Sequence, residues 1–173
     1  MPRNETLRRA MRDKREGKSP STQAGEFVRE EMDDIREGKH GARSAKQAIA
    51  IGLSKARRAG VRLAPPKRGT TSEQTRRKAA RDLTRGRTPQ KRPSARRSAA
   101  IVSALEREPR ASASRAALSE QARSAARRRT PSQRSKSARR AARTKGPGGR
   151  SAAARRAARS RKSHASAEHV GSR

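Results

Sequence analysis

"REGKSPSTQAGEF" (15–27) and "REGKHGARSAKQAIA" (36–50) write the tetrapeptide Arg-Glu-Gly-Lys twice within the first fifty residues. Each copy is followed by a serine and then by Gln-Ala. As chain punctuation, Gly17 and Gly38 supply the left-handed residue that ends a helix, and Lys18 and Lys39 sit at the negative end of its dipole. Ser19-Pro20 and Ser44 then offer the next start, with proline well suited to a first turn. The repeat predicts short helices over about 5–16, 20–37 and 45–59. It reads as a decayed helix–turn duplication rather than as a phosphate loop used twice.

The apolar spacing agrees. Leu7 and Met11 stand four apart on a first helix that Asn4 is placed to cap. Ala24, Val28, Met32 and Ile35, with Phe27 beside them, follow the 3–4 spacing of a buried helix face, and Ala45, Ile49, Leu53 and Ala56 repeat it. Ser44 and Gln47 form an S-x-x-Q capping box. Gly60 suits the position after the third helix, with Val61 folding back on it.

Composition sets limits on the rest. The chain holds 48 Lys+Arg against 15 Asp+Glu in 173 residues, a formal net charge of +33. A field of that size draws polyanions, which points to DNA or RNA. Of the apolar residues 32 are alanine, while Ile, Leu, Val and Phe number only 15. That is far below the roughly 20% expected of a folded chain at high charge. No cysteine is present, which excludes disulfides and cysteine zinc sites. The N-terminal stretch has no apolar signal segment, its Glu5 and Asp13 argue against a transit peptide, and no run approaches a membrane span. The expectation is a soluble, cytoplasmic, nucleoid-located protein.

Composition changes near "LAPPKRG" (63–69). Residues 1–63 carry 16 basic and 9 acidic residues, and residues 64–173 carry 32 and 6. Beyond residue 63 the large aliphatics are Leu83, Ile101, Val102, Leu105, Leu118 and Val170. The expected fold is mainly α, with a small N-terminal module of about three short helices (1–63). A long, largely disordered Arg/Ala/Ser-rich tail with transient helices (64–173) follows. About ten apolar side chains make a marginal core for sixty residues, so the module is expected to form a homo-oligomer or to bind a protein partner. Arginine repulsion opposes helix formation in the free tail, and phosphates would remove it.

The residues expected to meet phosphates are Arg43, Lys46, Lys55, Arg57 and Arg58 in the module, then Lys67, Arg68, Arg76, Arg77, Lys78, Lys91, Arg92, Arg96 and Arg97. Farther along come Arg127, Arg128, Arg129, Arg139, Arg140, Arg155 and Arg156. Arginine outnumbers lysine 37 to 11, which suits forked phosphate contacts and narrow minor grooves. Phe27 is the sole aromatic, and readers of single strands stack bases on aromatic rings. Duplex DNA is therefore preferred, with RNA bound through its backbone as the alternative. The predicted helices 20–37 and 45–59 invite comparison with a helix-turn-helix, but their link is longer than the usual turn. No catalytic motif, cofactor fingerprint or metal-ligand spacing occurs. His40 stands alone in a loop, His164 and His169 have only Glu168 nearby, and "EFVREEMDD" (26–34) reads as a solvated helix face pairing with basic neighbours, or as one folding against the tail to moderate DNA binding.

Residues 13–63, and "REGKHGARSAKQAIAIGLSKARRAG" (36–60) above all, resemble a family of small basic bacterial proteins of unknown function, whose members with long basic tails tend to be called DNA-binding. The tail is separately similar to bacterial histone H1-like proteins, with arginine in place of their customary lysine. "TPQK" (88–91) resembles a linker-histone repeat, and "TPSQ" (130–133) lacks its basic fourth residue. Together these imply a non-enzymatic, nucleoid-associated protein that binds duplex DNA with little sequence preference. The alternatives are an RNA- or ribosome-associated protein, or a protein-interaction adaptor with an incidental charged tail.

Overall fold

The structure, a computed structural model, describes residues 2–88 and 94–170, of which 144, 145 and 161–170 are described by backbone alone. Among the described residues seven α-helices follow in order: α1 (Asn4–Arg15), α2 (Pro20–Arg36), α3 (Ala45–Arg58), α4 (Glu73–Arg85), α5 (Ala95–Glu106), α6 (Arg115–Arg127) and α7 (Pro131–Val170). A 3-10 turn at Arg110–Ala113 precedes α6, and no strand occurs among the described residues. The chain forms two compact units, Met1–Ala122 and Arg123–Arg173.

The first three helices begin and end where the repeat places them. Gly17 and Gly38 adopt φ of 69° and 78°. After α1, Lys18 N–H donates to the Asp13 carbonyl and Gly17 N–H to the Lys14 carbonyl; after α2, Lys39 N–H and Gly38 N–H donate likewise to Asp34 and Ile35. These are Schellman closures, which satisfy the last free carbonyls of each helix. Ser19 accepts from Thr22 N–H and Ser44 from Gln47 N–H. Gln47 reaches back to the N–H of Arg43, one residue before the cap itself. Asn4 is not the cap of α1: that position falls to Arg3, which supplies no side-chain acceptor.

Helix α2 lies between α1 and α3 and contacts both. One core cluster joins Ala10, Ala24, Phe27, Ala56 and Val61, with Leu7, Leu53 and Leu63 against it. A second joins Met32, Ile35, Ala42, Ala48 and Ala113, flanked by Val28, Ile49 and Leu118. Phe27 and Ile35 are fully buried, each contributing about 1.5–3 kcal/mol. Met11, expected to share the inner face of α1, is 62% exposed. On α3 the buried positions Ala45, Ala48, Gly52 and Ala56 form a seam of small residues, and Arg57 is buried with them. At Gly52 the helices nearly touch, and a Cβ there would stand 2.7 Å from Val28 Cα.

The expectation of a largely disordered tail is corrected. The chain past residue 64 is helical over most of its described length, and part of it completes the core. Ala113 is fully buried beside Met32 and Ile35, and its carbonyl accepts from Arg36 Nε at 3.1 Å. Gly41 and Ala42 donate their N–H groups to the carbonyls of Leu105 and Pro109. Helix α4 rests on α3 through buried Ala79 and a 2.5 Å hydrogen bond from Ser54 Oγ to Asp82 Oδ2. Packing is thus continuous across the compositional change at residue 64. Alanine carries this burial, because a small side chain fills a close helix approach without a large apolar surface.

In α7 the Ala/Arg sequence supplies strong intrinsic helix propensity. "TPSQ" (130–133) is its capping box: Gln133 N–H donates to Thr130 Oγ1 and Thr130 N–H to Gln133 Oε1, each at 3.2 Å, with Pro131 in the first turn. Gly146, at φ 65° and ψ 175°, breaks the helix into two runs.

Candidate nucleic-acid interface

The basic residues fall into two groups that composition does not separate. Some hold the fold together. Lys55 Nζ lies 2.6 Å from Glu31 Oε2 and 3.8 Å from Asp34 Oδ2. Arg57 is buried, donating from Nε to the Leu63 carbonyl and from Nη2 to that of Ala64. Burial lowers the Arg57 pKa, and the nearby Asp82 charge works against that shift. Both residues therefore sit in the interior side of α3, away from a phosphate-facing surface.

Their acidic counterparts are buried too. Glu30, Glu31 and Asp34 are at most 8% exposed, so these carboxylates of the segment 26–34 do not lie on a solvated face, whereas Arg29 and Asp33 do. The segment's charge is compensated by the part-buried Lys55 and, from the surface, by Lys39 and Arg3. Burial pushes the Asp34 carboxyl up, yet hydrogen bonds from Lys39 and Arg3, with the Arg3 and Lys55 charges, hold it below the ordinary value. His40 is not isolated either: its Nε2 lies 3.5 Å from Glu31 Oε1.

The second group faces outward. On α4, Arg77, Lys78, Arg81 and Arg85 are exposed, and at 100° per residue they fall within an arc of about 100°. The opposite side of α4 carries Ala79 and Asp82, which dock on α3. Lys78, Arg81 and Arg85 form no ion pair among the described residues. Arg77 Nε lies 3.4 Å from Glu73 Oε1, while Arg76 grips both oxygens of Glu73 and so stands apart from the open cations. The Arg76 hydrogen bonds hold the Glu73 carboxyl down to about 2. An open depression lined by Glu73, Gln74, Arg77, Ala80 and Arg81 runs along this face.

The unit Arg123–Arg173 holds 17 basic residues and one acidic residue. Along the first run of α7, Lys136, Arg139, Arg140 and Arg143 recur at i, i+3, i+4 and i+7, all exposed. That spacing gathers them on one side, with Ala138, Ala141 and Ala142 opposite. Arg155, Arg156 and Arg159 form a similar exposed group in the second run. Arg150 Nη1 donates to the Ala142 carbonyl at 3.5 Å across the break.

The remaining expected contacts are placed plainly. Arg43, Lys46, Lys67, Arg68, Arg96, Arg97, Arg127 and Arg129 are exposed. Exposed Arg58 has Nε 3.4 Å from the Ser54 carbonyl, and Arg128 turns back on Ser124. Lys91 and Arg92 lie outside the described residues, as does most of "TPQK" (88–91). Arg81, Lys136, Arg143 and Arg159 are not among the expected contacts, yet each stands four residues from one of them, and Arg85 stands four beyond Arg81. The link between α2 and α3 spans residues 37–44, longer than a helix-turn-helix turn. No described helix is long and apolar enough to cross a membrane. No family model, curated protein or solved structure matches this chain.

Proposed function

We propose that this is a non-enzymatic protein that binds duplex DNA through its phosphates, with little dependence on sequence, in the manner of a nucleoid-associated histone H1-like protein. The observation that carries the reading is the outward set of arginines and lysines on α4 and α7, exposed and helical in spacing. Cations at i and i+4 stand about 6 Å apart along a helix axis, a density suited to the closely spaced charges of a duplex backbone. Phe27 is buried, so no aromatic side chain is available for stacking bases, which favours duplex over single strands. The resemblance of residues 13–63 to small basic bacterial proteins supports a bacterial nucleoid setting.

The test is affinity for duplex DNA against salt, using the full chain and a variant with Lys136, Arg139, Arg140 and Arg143 changed to glutamine. The log–log slope should fall by about 0.9 for each phosphate that the variant no longer neutralises. An unchanged slope and affinity would remove the first run of α7 from the interface. Competition with structured RNA at matched salt separates a DNA protein from an RNA- or ribosome-associated one.

A further inference from the structure

His40, Glu31 and Asp34 meet at the inner side of α2, and their geometry carries a binding site independent of the nucleic-acid reading. Glu31 is fully buried, and neither carboxylate oxygen receives a hydrogen bond. Lys55 Nζ, 2.6 Å from Oε2, supplies charge without hydrogen-bond alignment. His40 Nδ1 lies 3.1 Å from the Gly41 carbonyl. A carbonyl only accepts, so Nδ1 is assigned the proton. In that tautomer Nε2 turns its lone pair toward Glu31 Oε1 at 3.5 Å. Lys55 balances the charge at Oε2, and on the Oε1 side the two facing acceptors leave room for a further positive species, either a second proton on the ring or a metal ion.

We propose that Glu31, Asp34 and His40 hold a divalent transition-metal ion of the zinc type, with Lys55 as the internal cation it displaces. One donor atom from each residue lies within 4.8 Å of the others. Zinc bonds of about 2.0–2.2 Å in tetrahedral geometry set donor–donor edges of roughly 3.3–3.6 Å. The His40–Glu31 separation already has that length. Asp34 enters through Oδ2, because Oδ1 is taken by Arg3 and Lys39. A mixed imidazole and carboxylate set suits zinc better than magnesium or calcium. The Gly41 carbonyl acts as the outer partner that fixes the ring and its tautomer. Three protein ligands leave a fourth position for solvent, reached past His40 and Lys55, whose side chains are 15% and 21% exposed. The flexible lysine stem can swing outward, and the ion brings two positive charges in place of one.

The experiment is a zinc titration of the full chain carrying His164→Asn and His169→Asn, which leaves His40 as its sole imidazole. Calorimetry should show one zinc per chain, and the unfolding midpoint should rise with zinc concentration. Nitrogen-resolved NMR should show Nε2 shifting on zinc addition while Nδ1 keeps its proton. His40→Gln, a change in a half-buried loop residue, should weaken binding by at least about 100-fold, the upper end for loss of a supporting group. Lys55→Met should tighten it by removing the competing ammonium. Absence of zinc uptake, or equal uptake by His40→Gln, overturns the proposal. So does an Nε2 proton that persists at neutral pH in excess zinc, which would assign the positive species as a proton.

Discussion

Lys39 Nζ lies 3.0 Å from Asp34 Oδ1, five residues back across the end of α2, and 2.7 Å from Glu37 Oε2. Lys18 repeats the arrangement at the end of α1, at 2.7 Å from both Asp13 Oδ1 and Glu16 Oε2. The duplicated unit is therefore longer than Arg-Glu-Gly-Lys. It begins at the aspartate, as Asp13-Lys-Arg-Glu-Gly-Lys18 and Asp34-Ile-Arg-Glu-Gly-Lys39. In both copies glycine closes the backbone while lysine returns to the aspartate whose own carbonyl accepts its N–H.

The two clamps differ in their surroundings, and that difference is measurable. Asp34 keeps Arg3 when Lys39 is removed, with Lys55 nearby, whereas Lys18 is the one ion-pair partner of Asp13 among the described residues. Both aspartate side chains are about one-tenth exposed. Lys18→Met should therefore cost more than Lys39→Met, because it leaves the buried Asp13 carboxylate without its charged donor. Urea unfolding of both variants checks the order.

Helices whose ends carry capping chemistry were legible from residues alone: glycine after, serine before, proline in the first turn. Burial by small or charged residues was not. Ala113 and Ser112 are core residues in a stretch that composition assigned to a tail, since alanine has no apolar signature outside its packing. Glu30, Glu31 and Asp34 read as solvated because their compensating cations come from α3, the loop after α2 and the chain start. Lys55 and Arg57 were chosen as phosphate contacts by charge, and tertiary pairing turned them inward. The α4 and α7 faces needed only helical spacing, which an expectation of disorder set aside.

Stability should fall on both sides of neutrality through the same clamp. Asp34 and Glu37 titrate below their ordinary values of 3.8 and 4.5, so the folded state binds these protons less readily than the unfolded chain. Their stabilisation is complete above those values and is lost as pH falls through the lower folded ones. Hydrogen bonds to Glu37 and then Asp34 raise Lys39 above its ordinary 10.5. Its contribution is complete below 10.5 and is lost as pH rises through the folded value. Asp34→Asn should flatten the acid limb between pH 4 and lower values, measured by the unfolding midpoint against pH.

Gly52→Ala should be among the more damaging single changes in the first unit. Its φ is not in the left-handed region, so backbone strain is not the cause. The added methyl would lie 2.7 Å from Val28 Cα and 3.0 Å from the Phe27 carbonyl oxygen, both backbone atoms that cannot rotate away. Helices α2 and α3 must separate, opening both core clusters, at a cost of about 1–3 kcal/mol. Gly25→Ala on the same α2 meets nothing within 4 Å and serves as the control. Thermal unfolding of the pair reads the difference.

Charge neutralisation on α4 separates a DNA surface on the first unit from one confined to α7. Arg77, Arg81 and Arg85 project from a helix whose other side is fixed to α3 by Ala79 and the Ser54–Asp82 hydrogen bond. Their replacement by glutamine leaves that packing in place, so circular dichroism should be unchanged. If α4 touches phosphates, the salt slope for duplex DNA should fall by about 0.9 per phosphate, as with the α7 substitutions. Combining both sets should lower the slope by the sum of the two changes. A slope unmoved by the α4 set, with the α7 set still effective, removes the α4 face from the DNA-binding surface and leaves α7 in it.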